Sequence, residues 1–323
     1  MNSELLNDID VSLLVPPEPH ILDSDWRFTQ ETLQGLVDVL PLDGTMLAIG
    51  TPSLTRILEG KGCDFLLVDR QPNLGVGAQL CIDVLQSLPV TGNFSSAIVD
   101  PPWYPDEFRY WVAWAAHAVG PGGTIFAAIW PNFTRPNARN EKISLWNWIS
   151  TWAEVELLDL PLRYSVPLFE QIATSAQTED EPQSSPLIGE LIRIKIKRCP
   201  ELSTLRVSSV VWHRFRFNQY QLALRVDGLE RAEISMRMHP LANSWIWPFV
   251  SRRAPQMSDI NLWSSRNEVA TLTGGKLVVT LLQDLALSSE TSAYELLTSY
   301  APEFLSWGLP TPPYNEVEVW THL

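Results

Sequence analysis

The run Ser96-Ala97-Ile98-Val99, followed by Asp100-Pro101-Pro102-Trp103-Tyr104, constrains this chain more than any other stretch of its 323 residues. The apolar residues Ala97, Ile98 and Val99 predict a short buried strand. The strand stops at a carboxylate, and two prolines then forbid any continuation of its ladder. Such a segment delivers an acid and two aromatic rings to one edge of a sheet. The Asp100 oxygens and the Pro101 carbonyl can accept hydrogen bonds from an –NH2 group. Trp103 or Tyr104 can stack on a planar ring, a contact worth about 1–3 kcal/mol per base in nucleic-acid binding. Taken alone, the residues also fit a strand end with an ordinary Pro-Pro turn.

Two earlier strands have the same design. Met46 to Ile49 is apolar and ends at Gly50, after which Thr51-Pro52-Ser53-Leu54 opens a helix with Leu54, Ile57 and Leu58 on one face. Phe65 to Val68 is apolar and ends at Asp69, 19 residues after Gly50. A glycine turn lets the backbone approach a ligand, and an acid about 20 residues on can bind ribose hydroxyls. A third acid, Asp83, follows Ala78-Gln79-Leu80-Cys81-Ile82. The alternative is that Asp69 and Asp83 are strand-end acids facing solvent and Gly50 is a plain turn glycine.

In their order, these segments resemble the S-adenosylmethionine-dependent amino methyltransferases. Asp100-Pro101-Pro102-Trp103 is similar to that family's catalytic [Asp/Asn/Ser]-Pro-Pro-aromatic loop. The turn has no GxGxG pattern. In this it looks like the adenine-N6 methylase-like branch, which includes zinc-finger ribosomal-RNA adenine methylases and elongation-factor lysine methylases. The resemblance covers about residues 44–130. It implies S-adenosylmethionine as cofactor, held by Gly50, Thr51, Pro52, Asp69 and Asp83, the last near the adenine. It implies catalysis at Asp100, Pro101, Pro102, Trp103 and Tyr104. The acceptor it implies is an amino group: adenine N6 in RNA or DNA, or a protein lysine or other amine. A catalytically silent binding subunit with the same fold is a further alternative.

The rest of the chain sets the architecture. Helices are expected at Trp26–Leu40, Asp106–Val119 and Glu141–Glu154, and strands at 79–82, Thr124–Ile129, Val155–Tyr164 and Leu191–Lys197. Alternation of this kind predicts a doubly wound, mostly parallel Rossmann-like α/β sheet. Residues 1–24 are expected to form an irregular arm, 25–199 the methyltransferase domain and 200–323 an α+β recognition or interaction domain. Thr174–Pro186 is polar and acidic and reads as a loop. In the last third, strands are expected at Leu205–Trp212 and Tyr220–Val226, a strand or helix at Lys276–Leu287, and a helix at Thr291–Leu305.

Charge bears on the partner. The chain carries a net charge of -14, which disfavours phosphate contacts. The distribution is uneven: residues 1–200 hold 13 basic and 25 acidic residues, 206–276 hold 10 basic and 5 acidic, and 277–323 hold six acids with no Lys or Arg. The basic stretch includes Trp245, Trp247, Arg252, Arg253, Trp263 and Arg266, and reads either as a nucleic-acid surface or as a Trp-rich core with surface arginines. A protein partner is the other expectation. No run approaches 18 apolar residues, so no membrane span is expected. Met1-Asn2-Ser3-Glu4 lacks the start of a signal peptide. Cys63, Cys81 and Cys199 lack metal-ligand spacing, which predicts a reduced, cytoplasmic protein without a metal.

Overall fold

Eight strands build the first sheet of the computed structural model, which describes residues 17–23, 25–132, 134–175, 187–202, 210–226, 233–239, 259–288 and 291–322. In chain order the strands are β1 (Arg27–Phe28), β2 (Met46–Ile49), β3 (Phe65–Asp69), β4 (Gln79–Cys81), β5 (Ser96–Val99), β6 (Thr124–Ile129), β7 (Ala153–Ser165) and β8 (Ile188–Ile196). Their spatial order is β1-β7-β8-β6-β5-β2-β3-β4. β2 to β6 run parallel, while β8 is antiparallel to both β6 and β7. The chain winds outward from β2 through β3 to β4, then restarts at β5 and winds the other way to β6. The fold is therefore a doubly wound, mostly parallel α/β sheet. Its switch point is the crevice beyond the carboxyl ends of β2 and β5, where ligands of such sheets bind.

The strand sequences are apolar throughout because both faces are covered. Leu47, Ile49, Ala97, Val99, Ile125 and Ala127 pack on one side with Phe108, Val112 and Ala115 of α3 (Pro105–Val119) and Leu145 and Ile149 of α4 (Ala138–Ser150). Met46, Ala48, Ile98, Phe126 and Ala128 pack on the other with Leu33 and Leu36 of α1 (Gln30–Val39) and Leu54 and Leu58 of α2 (Pro52–Gly60). Alternate residues of one strand thus enter opposite cores, as the two-residue repeat requires.

A second sheet is antiparallel throughout. It contains β9 (Trp212–Phe217), β10 (Tyr220–Arg225), β11 (Ser235–His239), β12 (Leu262–Ser264), β13 (Val269–Thr273) and β14 (Val317–His322), in the order β11-β13-β12-β10-β9-β14. α6 (Gly275–Ser288) lays Val278, Leu282 and Leu285 against Phe215, Phe217 and Leu222 of this sheet. Its helical state follows from that apolar face. The helix after it, α7 (Thr291–Tyr300), stops early because Pro302 starts a 3-10 turn through Trp307.

Several boundaries differ from expectation. The helix expected from Trp26 starts at Gln30, because Thr29 caps it by accepting from the Thr32 N–H at 3.3 Å and Arg27–Phe28 pairs with β7 instead. The helix expected at 141–154 occupies 138–150. α5 (Leu168–Ser175) was not expected, and it takes the first two residues of the expected loop. Of that loop, 176–186 lie outside the described residues, as do 205–209 of the strand expected at Leu205–Trp212.

The described part of the expected arm, 17–23, is packed between the two sheets. Ile21 joins Phe169 of the first sheet's α5 and Ile260, Trp263 and Val269 of the second. His20 is fully buried, and its Nε2 lies 3.1 Å from the Trp263 carbonyl. Ser265 donates to Glu18 Oε2 at 2.7 Å, and Gln221 donates to the Glu18 carbonyl at 2.6 Å. Residues 1–16 lie outside the described residues.

Candidate active site

At the switch point, the Asp100 N–H donates to the Ile49 carbonyl at 3.0 Å and the Gly50 N–H to the Val68 carbonyl at 3.0 Å. The ends of β5, β2 and β3 are thereby held level, and Asp100, Gly50 and Asp69 share one rim. Pro101 and Pro102 carry no N–H, so the chain turns away, with the Tyr104 N–H bonded to the Pro102 carbonyl at 2.8 Å. Tyr104 then caps α3, whose first residue is Pro105, the residue suited to that position.

Asp100 is held from one side. The Tyr164 hydroxyl, near the carboxyl end of β7, donates to Asp100 Oδ1 at 2.9 Å. The other carboxylate oxygen and the Pro101 carbonyl have no hydrogen-bond partner among the described residues. Burial pushes the Asp100 carboxyl up to about 8; the Tyr164 hydrogen bond pulls it down and the charge of Asp25 pushes it further up. Trp103 is half-buried and meets Tyr164 edge-on, with ring centroids 5.8 Å apart. Both rings press on Gly189 of β8: a Cβ there would lie 2.9 Å from Trp103 Cζ2 and 3.3 Å from Tyr164 Cε2.

Gly50 has φ +67°, a left-handed conformation that glycine adopts without strain. A Cβ at this position would lie 3.0 Å from the Trp111 ring of α3 and 3.2 Å from the Asp100 carbonyl. The absent side chain therefore lets the turn, the Asp100 loop and α3 close together. Thr51 next to it is 1% exposed, and its hydroxyl has no partner among the described residues. Pro52 begins α2.

Asp69 ends β3 with Oδ1 accepting from the Gln71 N–H at 2.9 Å. Burial lifts its carboxyl to about 7; Gln71 opposes this, Asp25 and Asp23 add to it, and Arg70 opposes it. Asp83 accepts from the Leu85 N–H at 2.8 Å, capping a 3-10 turn, and its other oxygen lies 4.0 Å from Arg70. Asp100, Gly50, Thr51 and Asp69 are thus brought to one rim, with Asp83 linked to it through Arg70.

Asp25, Tyr164, Gly189 and Trp111 were not singled out from sequence. Asp25 acts electrostatically on both Asp69 and Asp100 while pairing with Arg27 at 2.6 Å. Its position at the end of a polar stretch marks it only as loop. Tyr164 is 64 residues from Asp100, and nothing local couples the two.

The basic stretch 206–276 is different in kind. Arg214 is fully buried and makes two bonds to Asp23, at 2.9 and 2.6 Å. Arg216 faces Glu318 at 3.5 Å and Glu316 at 3.9 Å. Arg266 pairs with Glu18 at 3.0 Å. The Trp263 indole donates to Asn267 at 2.9 Å inside the core. These arginines meet acids of their own chain. Trp245, Trp247, Arg252 and Arg253 lie outside the described residues. Among the described residues no helix is long and apolar enough to cross a membrane, and no group of three or more His, Cys, Asp or Glu is placed to hold a metal.

No family model and no curated protein matches the chain. Solved structures are similar in fold. A branched-chain polyamine synthase mutein from Thermus thermophilus, bound to N4-aminopropylspermidine and 5'-methylthioadenosine, is 16% identical over 60% of this chain and 64% of that one, with a TM-score of 0.48. The T. thermophilus 16S rRNA N2 G1207 methyltransferase, bound to AdoMet and guanosine, is 12% identical over 62% of this chain and 47% of that one, with a TM-score of 0.34. The E. cuniculi Mtq2–Trm112 complex, which methylates the eRF1 termination factor, is 13% identical over 53% of this chain and 99% of that one, with a TM-score of 0.34. The chain spans less than two thirds of the first two of these structures.

Proposed function

We propose that this chain is an S-adenosylmethionine-dependent methyltransferase acting on an amino nitrogen, with adenine N6 in RNA or DNA as the acceptor. One observation carries the reading: at the switch point of a doubly wound sheet, Asp100 presents one bonded and one unbonded oxygen beside the unbonded Pro101 carbonyl. Two acceptors side by side suit the two N–H bonds of an amino group. Holding them there directs the nitrogen lone pair away from the loop, and positioning of this kind can supply much of a rate enhancement. In its ionised form Asp100 also takes the proton that the nitrogen sheds.

The cofactor supplies a methyl group activated by a sulfonium. The rim fits such a ligand: Gly50 lets the turn and the Asp100 loop come close together, Thr51 offers an unpartnered buried hydroxyl, and Asp69 keeps one oxygen for ribose hydroxyls. Asp83 and Pro52 complete the proposed binding set. A cationic ligand would also relieve the repulsion among Asp25, Asp69 and Asp100.

The adenine reading draws on Trp103 and Tyr104, which flank the loop and are only partly buried. A protein amine is a second reading, favoured by the internal pairing of Arg214, Arg216 and Arg266 and by the net charge of -14. In either case residues 200–323 would form the recognition unit. Isothermal titration with S-adenosylmethionine and S-adenosylhomocysteine tests the cofactor. Transfer of labelled methyl to adenine-containing single strands, compared with lysine-rich proteins, tests the acceptor. Micromolar binding with transfer to adenine is the expected result. Transfer to protein alone would select the second reading, and binding of neither ligand would leave a silent fold.

A further inference from the structure

The Asp100 loop is held by a strand three positions away in the sheet. β7, β8 and β6 lie side by side before β5, yet Tyr164 of β7 reaches the Asp100 carboxylate at 2.9 Å. The reach is made possible by the space above β8. Gly189 has no side chain there, and a Cβ would collide with the Trp103 ring and crowd the Tyr164 ring. Tyr164 is only 2% exposed and also packs on Phe28, with ring centroids 4.9 Å apart. Its ring is therefore packed by Phe28 of β1 and Trp103 of the loop, in the space left at Gly189.

A carboxylate at the start of a proline turn can rotate about its own side-chain bonds unless something holds it. We propose that Tyr164 is a positioning residue for the reaction: its O–H pins Asp100 Oδ1 and so aims Oδ2, with the Pro101 carbonyl, at the acceptor nitrogen. This rests on the methyl-transfer reading of the site. The phenol does not touch the acceptor in this arrangement. It acts through Asp100.

The same hydrogen bond favours the ionised carboxylate, the form that accepts from an amine. The groups facing Asp100 are few. Tyr164 comes from β7, and Asp25 comes from the segment ahead of β1, where it pairs with Arg27 of β1. Gly50 lies against the Asp100 backbone carbonyl and the Trp111 ring lies against Gly50, and neither carries a charge. With burial and Asp25 both pushing the carboxyl up, Tyr164 is the group that opposes them. Removing the phenol oxygen moves the Asp100 titration upward and frees the carboxylate to rotate.

The test is Tyr164→Phe, which keeps the ring and its packing on Trp103 and Phe28. Carbon-13 labelling of aspartate carboxyls gives the Asp100 titration directly, with the signal assigned by its loss in Asp100→Asn. No acceptor is needed for this readout. The wild-type midpoint is expected near 8, and that of Tyr164→Phe above it. In methyl transfer, kcat at pH 7 is expected to fall about 10- to 100-fold, with the acid limb displaced to higher pH and S-adenosylmethionine affinity within twofold of wild type. Gly189→Ala, which displaces both rings while leaving the phenol present, is expected to raise the Asp100 midpoint as well. An Asp100 titration unmoved in Tyr164→Phe overturns the proposal. Failure of the methyl-transfer reading looks different: wild type then transfers no methyl to any amine, while the midpoint still moves in Tyr164→Phe.

Discussion

Asp23, whose side chain is 3% exposed, and the half-buried Asp100 sit in opposite electrostatic surroundings. Asp23 lies at the junction of the two sheets between Arg214 and Arg70, 2.6 and 2.9 Å away. Although burial pushes its carboxyl up, the two guanidiniums hold it well below the usual carboxylate range. Asp100 lies at the switch point, where the Tyr164 phenol and the charge of Asp25 act on it and no cation does among the described residues, and its carboxyl is pushed up. A buried charge is stable when it is paired and hydrogen-bonded and costly when it is not. The junction acid serves the fold, whereas the switch-point acid is kept at a cost to the fold, which is the expected mark of a functional group.

The comparison breaks most readily at the junction. Asp23→Ala strands the fully buried Arg214 and should destabilise the protein by about 3–5 kcal/mol, measured by urea unfolding. Wild-type stability in this variant would mean that Arg214 finds another acid. At the switch point the signs reverse. Asp100→Asn should reduce methyl transfer about 10²- to 10³-fold while leaving the melting temperature equal or higher above about pH 8, where the wild-type carboxyl is ionised and its uncompensated charge is lost in the variant. A lower melting temperature with full activity would make Asp100 a structural residue.

Asp69→Asn sharpens the contrast within the rim. Losing hydrogen bonds to a charged group costs about 1.5–3 kcal/mol, so S-adenosylmethionine affinity should fall roughly 10- to 100-fold by calorimetry. Unchanged affinity would remove Asp69 from the site. A further contrast lies in the pH dependence of stability. Asp69 and Asp100 titrate near 7 and 8 in the fold against an ordinary value of 3.8. The unfolded chain therefore releases these protons first, and the two acids lower stability progressively as pH rises from about 4 to 8. Asp23 does the opposite, adding stability above its ordinary value that is lost as pH falls below it. A cationic ligand on the rim should consequently raise the melting temperature more at pH 8 than at pH 6. Equal shifts at both values would place the ligand's charge away from Asp69 and Asp100.

Much of the first sheet was legible in the sequence because its signals are local. Apolar runs bounded by glycine, acid or proline mark where β2, β3 and β5 begin and stop, and the same punctuation places Gly50, Asp69 and Asp100 at strand ends. The periodicity of Phe108, Val112 and Ala115 marks α3. β1 was not legible, because two residues carry no repeat, and Arg27–Phe28 becomes a strand only by pairing with β7. α6 was ambiguous as an apolar run until the second sheet offered it a face to cover.

The charges show the division most clearly. Read along the chain, 206–276 is a basic stretch of the kind that meets phosphate; in the fold Arg214 meets Asp23, 191 residues away, and Arg266 meets Glu18, 248 residues away. The site divides in the same way. Asp100, the prolines and the glycine turn followed from sequence, while Tyr164, Gly189 and Asp25 did not. The order of residues determined where strands must end and which acids stand at their ends, since backbone chemistry acts over a few neighbours. Only the tertiary structure decided which of those acids is paired and which is left open, because pairing depends on distance and loss of water, and these are properties of the packed chain.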